Sequence, residues 1–298
     1  MRAAAYLAAL CFCIPAQGQS CPPPSQSRAR LLELKAAGFQ LKDAAERQAL
    51  AIDLLACLED SDPTLRDGVA FEALSTWMRG PLLDAATASA VVARLLPRIA
   101  PDYPDPAGFS RPFAALVLSE AARMDRIEPY LDAAALHALV AAAPQYLESV
   151  RDYRGFDERE GWRHGVAHGA DLILQLSINP RVGKADLDRF LAAIRGQVAP
   201  AGDHFYIFGE GERLARAVFY LAGRKEHTPE EWRSWFEGVS APAPLAAWSE
   251  AFESRAGLAK RQNTQAFLQA LYLYVGENGD QIRDRILPPL VAALKQLP

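Results

Sequence analysis

Residues Asp43 to Glu59 read DAAERQALAIDLLACLE, and within them Leu50, Leu54, Leu55 and Leu58 recur at the 3.6-residue spacing of an amphipathic helix. Asp62-Pro63 follows, with Asp suited to the N-cap and Pro to the first turn, and opens a second helix to about Arg79. Working outward, the same periodicity predicts helices at about 84–99, 110–124, 132–149, 160–177, 184–197, 210–222, 229–238, 245–259, 262–276 and 279–296. Breakers separate them: Gly80-Pro81, Pro101 to Gly108, Asn179-Pro180, Ala199 to Gly202, and Pro242 with Pro244. Phe205 to Phe208 has strand-like composition but is too short to establish a sheet. The expected fold is all-α: an irregular α-solenoid or α/α superhelix of about a dozen antiparallel helices, without a strict repeat.

The chain's 298 residues, half of them hydrophobic, are enough to bury a substantial core. A net charge of −4 without a basic stripe argues against a nucleic-acid partner. Arg2, the apolar run Ala3 to Ile14, Pro15 and Ala16-Gln17-Gly18 have the pattern of a secretory signal peptide over 1–18. The mature chain would then be one all-helical domain over 19–298, periplasmic or secreted, with no transmembrane segment. Cys11 and Cys13 would leave with the signal. Cys21 and Cys57 would remain, an even pair suited to one disulfide in an oxidising compartment.

Residues 157–171, DEREGWRHGVAHGAD, hold two of the five histidines. On a helix turning by about 100° per residue, Glu160, His164, His168 and Asp171 would share one face. Two imidazoles at i, i+4 with an acid one turn away are a candidate divalent-metal set, completed from another helix. A structural reading competes with this one. Gly161, Gly165 and Gly169 also repeat every four residues and would admit a neighbouring helix, leaving the histidines as core or groove groups. Glu210 and Glu212 are secondary candidates that could face the stripe across a groove, although Glu212 and Arg216 also read as an ordinary i, i+4 pair. Arg111 and Glu120 read as a cap and a surface group, and Trp232, Trp235, Phe236, Trp248 and Phe252 as core between helices.

Four blocks resemble the bacterial domain-of-unknown-function family 2785 over about 110–275. They are Phe109 to Glu120 (FSRPFAALVLSE); Arg154-Gly155 leading to Gly161–Asp171 (GWRHGVAHGAD); Glu210 to Ala215 (EGERLA); and Asn263 to Tyr272 (NTQAFLQALY). The histidine block is the specific one. The resemblance implies a helical domain and no assigned activity.

No glycine-rich phosphate loop, G-x-S-x-G elbow, H-E-x-x-H or mature C-x-x-C is present. The leading expectation is therefore an exported protein that binds a peptide, a protein or a small polar ligand in a helical groove at His164 and His168. The alternative is a metal-dependent hydrolase in which those histidines hold the ion, with Asp171 or Glu160 beside them and Glu210 or Glu212 as base.

Overall fold

The computed structural model describes residues 20–277 and 280–298, so the signal peptide expected over 1–18 lies outside the described residues. In chain order the helices are α1 (Arg28–Ala36), α2 (Ala44–Asp53), α3 (Pro63–Leu65), α4 (Glu72–Arg79), α5 (Ala85–Leu95), α6 (Ser110–Ile127) and α7 (Ala133–Ser149). A small hairpin of β1 (Phe156–Asp157) and β2 (Gly161–Trp162) precedes α8 (Gly165–Ser177), α9 (Lys184–Val198), α10 (Glu210–Ala222), α11 (Pro229–Ser240), α12 (Arg255–Glu277) and α13 (Asp280–Leu294). The all-α class is as the sequence predicts.

Local chemistry accounts for many boundaries. Asp43, Asp62, Asp84 and Asp132 each accept backbone N–H groups of the first turn they cap, and Thr228 with Glu231 forms a reciprocal capping box on α11. Between α3 and α4 the backbone widens into one π-helical stretch, Arg66–Phe71, so the helix opened by Asp62-Pro63 runs on to Arg79. The sulfurs of Cys21 and Cys57 lie at bonding distance, fastening the Pro-rich arm to the Leu54–Glu59 turn.

From α6 onward the packing alternates. Helices α6, α8, α10 and α12 form one row in which each contacts the next, and α7, α9, α11 and α13 form a second row behind it. Gly165 and Gly169 make the approach of α7 to α8 close: a Cβ on Gly169 would come within 3.0 Å of the Tyr146 ring. The small-residue spacing thus does admit a neighbour at these two positions. One hydrophobic cluster runs from Leu31 to Ala293 through both rows and includes Trp232, Trp235 and Phe236. No helix among the described residues is long and apolar enough to cross a membrane.

Several sequence expectations are corrected. The segment 160–177 is not one helix, because its first residues form the hairpin and α8 begins only at Gly165. Gly161 therefore opens β2 where the hairpin returns, with φ +72°, and is not part of a helical stripe. The helices expected at 245–259 and 262–276 are instead a 3-10 turn, Trp248–Glu253, followed by the unbroken α12. Phe252 is exposed and does not join the core. Phe205 to Phe208, too short to establish a sheet, indeed forms no strand.

Candidate functional site

A cavity of about 570 Å³ opens where α4, α6, α8 and α10 face the hairpin. Each element contributes particular side chains: Arg79 from the end of α4, Glu120 from α6, His168 and Asp171 from α8, Arg213 and Arg216 from α10. The i, i+3 spacing of the last two pairs puts both members on one helix face. Trp162 and His164 arrive from the hairpin, Phe208 from the turn before α10, and Asp67 from the π-helical stretch.

The hairpin is built by its sequence. Asp157 Oδ1 accepts the N–H groups of Arg159 and Glu160, and Gly161 supplies the left-handed residue that returns the chain. Pairing then continues, with Arg163 N–H donating to Gly155 O and His164 N–H to Arg154 O, both at 3.0 Å. His164 itself sits at φ 57° and ψ 38°, a left-handed conformation that costs a residue with a Cβ about 1–2 kcal/mol. Strain of this kind concentrates at functional positions. It turns the imidazole away from the α8 helix face and lays it against Trp162, with ring centroids 4.8 Å apart and planes at 28°.

The two histidines meet edge to face, 5.7 Å apart, by this route and not as i, i+4 neighbours on one helix. His168 Nδ1 lies 3.1 Å from the Pro112 carbonyl, which can only accept, so Nδ1 carries the proton. Burial, the His164 ring and the Arg213 charge hold His168 far below the usual imidazole range. Burial and Arg213 push His164 down to about 4, against the opposing effect of a hydrogen bond to the Phe208 backbone. Both rings are therefore neutral near pH 7. His164 Nε2 is buried and has no partner.

Opposite the rings, two guanidinium–carboxylate pairs form the polar wall. Arg79 grips Glu120 through two bonds, Nε to Oε2 at 2.9 Å and Nη2 to Oε1, and Arg213 Nη1 donates to Asp171 Oδ2. Burial raises the Asp171 carboxyl, offset in part by the charges of Arg213 and Arg216. Asp67 pairs with the fully buried Arg66 at 2.7 Å. Arg216 makes no ion pair among the described residues; its charge acts on Asp171 from beyond ion-pair distance, and its guanidinium lies 5.9 Å from the Tyr220 ring.

Of the residues predicted from sequence, His164, His168 and Asp171 line this cavity; Glu160, Glu210 and Glu212 do not. Glu160 stands in the hairpin turn, half-exposed, and accepts from Arg163 at 2.9 Å. Glu210 is buried and holds the preceding turn by accepting the Phe208 N–H at 2.9 Å. Glu212 accepts the Tyr274 hydroxyl at 3.0 Å instead of pairing with Arg216. Glu120 is a correction of another kind, since the residue expected at the surface is buried in the cavity wall. Arg111 is no cap: its guanidinium binds Ser149 Oγ, and Asp105 accepts the N–H groups that open α6.

The donor set for a resident metal ion does not fit. His168 Nδ1 is committed to Pro112, Asp171 to Arg213, and Glu160 lies outside. Among the described residues no three His, Cys, Asp or Glu side chains gather closely enough to hold an ion. Sequence reasoning missed Arg79, Arg213, Trp162 and Phe208. The i, i+3 arginines of α10 and the D-E-R-E-G turn were the available signals.

Comparison with known proteins agrees with the resemblance. The family model described as "Protein of unknown function (DUF2785)" matches residues 98–273. No curated protein and no solved structure matches the chain.

Proposed function

The chain belongs to the DUF2785 family, and from that premise we propose that it is an exported binding protein that takes a small polar ligand in the cavity between α4, α6, α8 and α10. The family carries no activity to inherit, so function has to be argued from the site. One observation carries the proposal: a ligand-sized cavity joins two guanidinium–carboxylate pairs, two neutral imidazoles and an aromatic rim. Neutral imidazoles with depressed pKa are poor general bases near pH 7 but good hydrogen-bonding groups, which favours binding over proton transfer. The confined volume suits a small molecule better than a long peptide or a protein surface. Export is supported by the Arg2 to Gly18 pattern and by the two cysteines remaining beyond it.

The test is thermal shift of the mature chain against a panel of small polar compounds, beside a Leu116→Trp variant that fills the cavity. At least one compound should raise the melting temperature of the wild type and not of the variant. A panel without a shift, or a shift that survives the filled cavity, overturns the proposal.

A further inference from the structure

The charge and hydrogen-bond balance of the cavity wall specifies its ligand more closely. This step rests on the cavity being a binding site. We infer that the ligand is an acidic sugar, a polyhydroxylated ring with one carboxylate, whose carboxylate meets Arg216 and whose hydroxyls meet the Arg79–Glu120 and Arg213–Asp171 pairs.

The single negative charge follows from which cations are already satisfied. Glu120 neutralises Arg79, Asp171 neutralises Arg213, and Arg66 neutralises Asp67, leaving Arg216, which acts on Asp171 without an ion pair, as the surplus positive charge of the lining. A phosphate dianion would be left with one of its two charges uncompensated by this lining. A zwitterion would want an unpaired carboxylate, and each of the three lining acids is already engaged by arginine. A monoanion fits.

The hydroxyls follow from what covering the wall would cost. The side chains of Arg79 and Arg213 are 59% and 41% exposed, whereas their carboxylates are only 8% and 17% exposed. An apolar ligand laid over the guanidiniums would strip their water and return nothing, a penalty that buried polar groups incur in full. A hydroxyl accepts from a guanidinium and donates to a carboxylate at once, so a ring bearing several replaces the lost water.

The ring follows from the rim. Trp162 is 37% exposed beside the cavity mouth, with Phe208 edge-on at 6.1 Å. The apolar C–H face of a pyranose covers such a surface while its edge stays polar. A volume of about 570 Å³ accommodates one or two sugar rings.

The experiment is calorimetric titration of the mature chain with D-glucuronate, D-galacturonate and digalacturonate, each beside its neutral parent sugar, and with inorganic phosphate and glycylglycine. At least one uronate should bind about tenfold more tightly than its parent, the scale of one charge-assisted contact. Arg216→Gln should reduce that ratio to near one while keeping the wild-type melting temperature, because Arg216 is exposed on α10. Equal binding of uronate and parent, a ratio unchanged in Arg216→Gln, or no uronate binding overturns the inference. Glycylglycine or a neutral sugar binding where no uronate does would sink the acidic-sugar assignment and leave the cavity proposal standing. Uronate binding that persists in Leu116→Trp would instead remove the cavity itself.

Discussion

Asp67 and Trp162, 95 residues apart in the chain, are joined by a hydrogen bond in which the Trp162 backbone N–H donates to Asp67 Oδ2 at 3.2 Å. The other carboxylate oxygen lies 2.7 Å from Arg66, whose guanidinium is fully buried over the Phe109 ring and also donates to the Asp60 and Glu160 carbonyls. One carboxylate therefore both compensates a buried cation and anchors the hairpin. Asp67→Ala is expected to cost about 3 kcal/mol, since it leaves a buried charge unpaired, and Asp67→Asn less, because its amide oxygen can still accept from Trp162. Urea unfolding measures both. A loss below about 1 kcal/mol for the alanine variant would contradict the pairing.

Acid should weaken the fold through the histidines. His164 titrates at about 4 in the folded chain and near 6.5 when unfolded. Its contribution is fully present above pH 6.5 and is lost as pH falls from 6.5 to about 4, where the unfolded chain takes up a proton that the fold refuses. The loss is about 3 kcal/mol for this one group. Asp67, Asp171 and Glu210, all raised by burial, act in the opposite sense, because their protonation at low pH favours the fold. His164→Asn removes the titrating ring while tolerating the left-handed backbone. Melting temperatures between pH 7.5 and 4.5 should fall less steeply for this variant than for the wild type, and parallel slopes would count against the burial of the ring.

Gly155 is predicted to be intolerant for a steric reason. A Cβ there would lie 2.0 Å from Phe208 Cδ2, inside any real contact distance. Gly155→Ala should displace the Phe208 ring from the cavity rim, at a cost of about 1–3 kcal/mol. Ligand-induced thermal shift should shrink together with stability. Full retention of both would show that the ring is free to move.

The bond between Cys21 and Cys57 closes a chain segment with a sequence separation of 36. In the chain-entropy account a loop of that length contributes about 4 kcal/mol. Non-reducing peptide mapping of the purified protein should recover the two cysteines joined, and reductant or Cys57→Ala should lower the melting temperature. Free thiols in native material would refute the pairing.

The helices were legible because their signals are local. Asp62-Pro63 is a cap and first turn whatever packs against it, and the Leu50, Leu54, Leu55 and Leu58 pattern needs no knowledge of the partner. The histidine block was half legible. His168 and Asp171 do share α8, but placing His164 and Glu160 on the same helix assumed a continuous 100° progression that Asp157 and Gly161 interrupt. A three-residue loop followed directly by glycine is itself a hairpin signal, and periodicity over the following alanines and leucines overrode it. Glu120 illustrates what local reading lacks. Its arginine stands 41 residues earlier, and only the packing of α4 on α6 makes a buried carboxylate affordable there.

The alternation of the two helix rows also bears on when the cavity comes into being. Its wall is drawn from Asp67 through Arg216, so no fragment ending before α10 contains the Arg213 or Arg216 side. In a chain emerging N-terminus first, the pocket is complete only once α10 seats against α8. An occupant would then act as a clasp between early and late parts of the chain, recognising only molecules whose row has closed. Slowed amide exchange along α10 would mark that clasp.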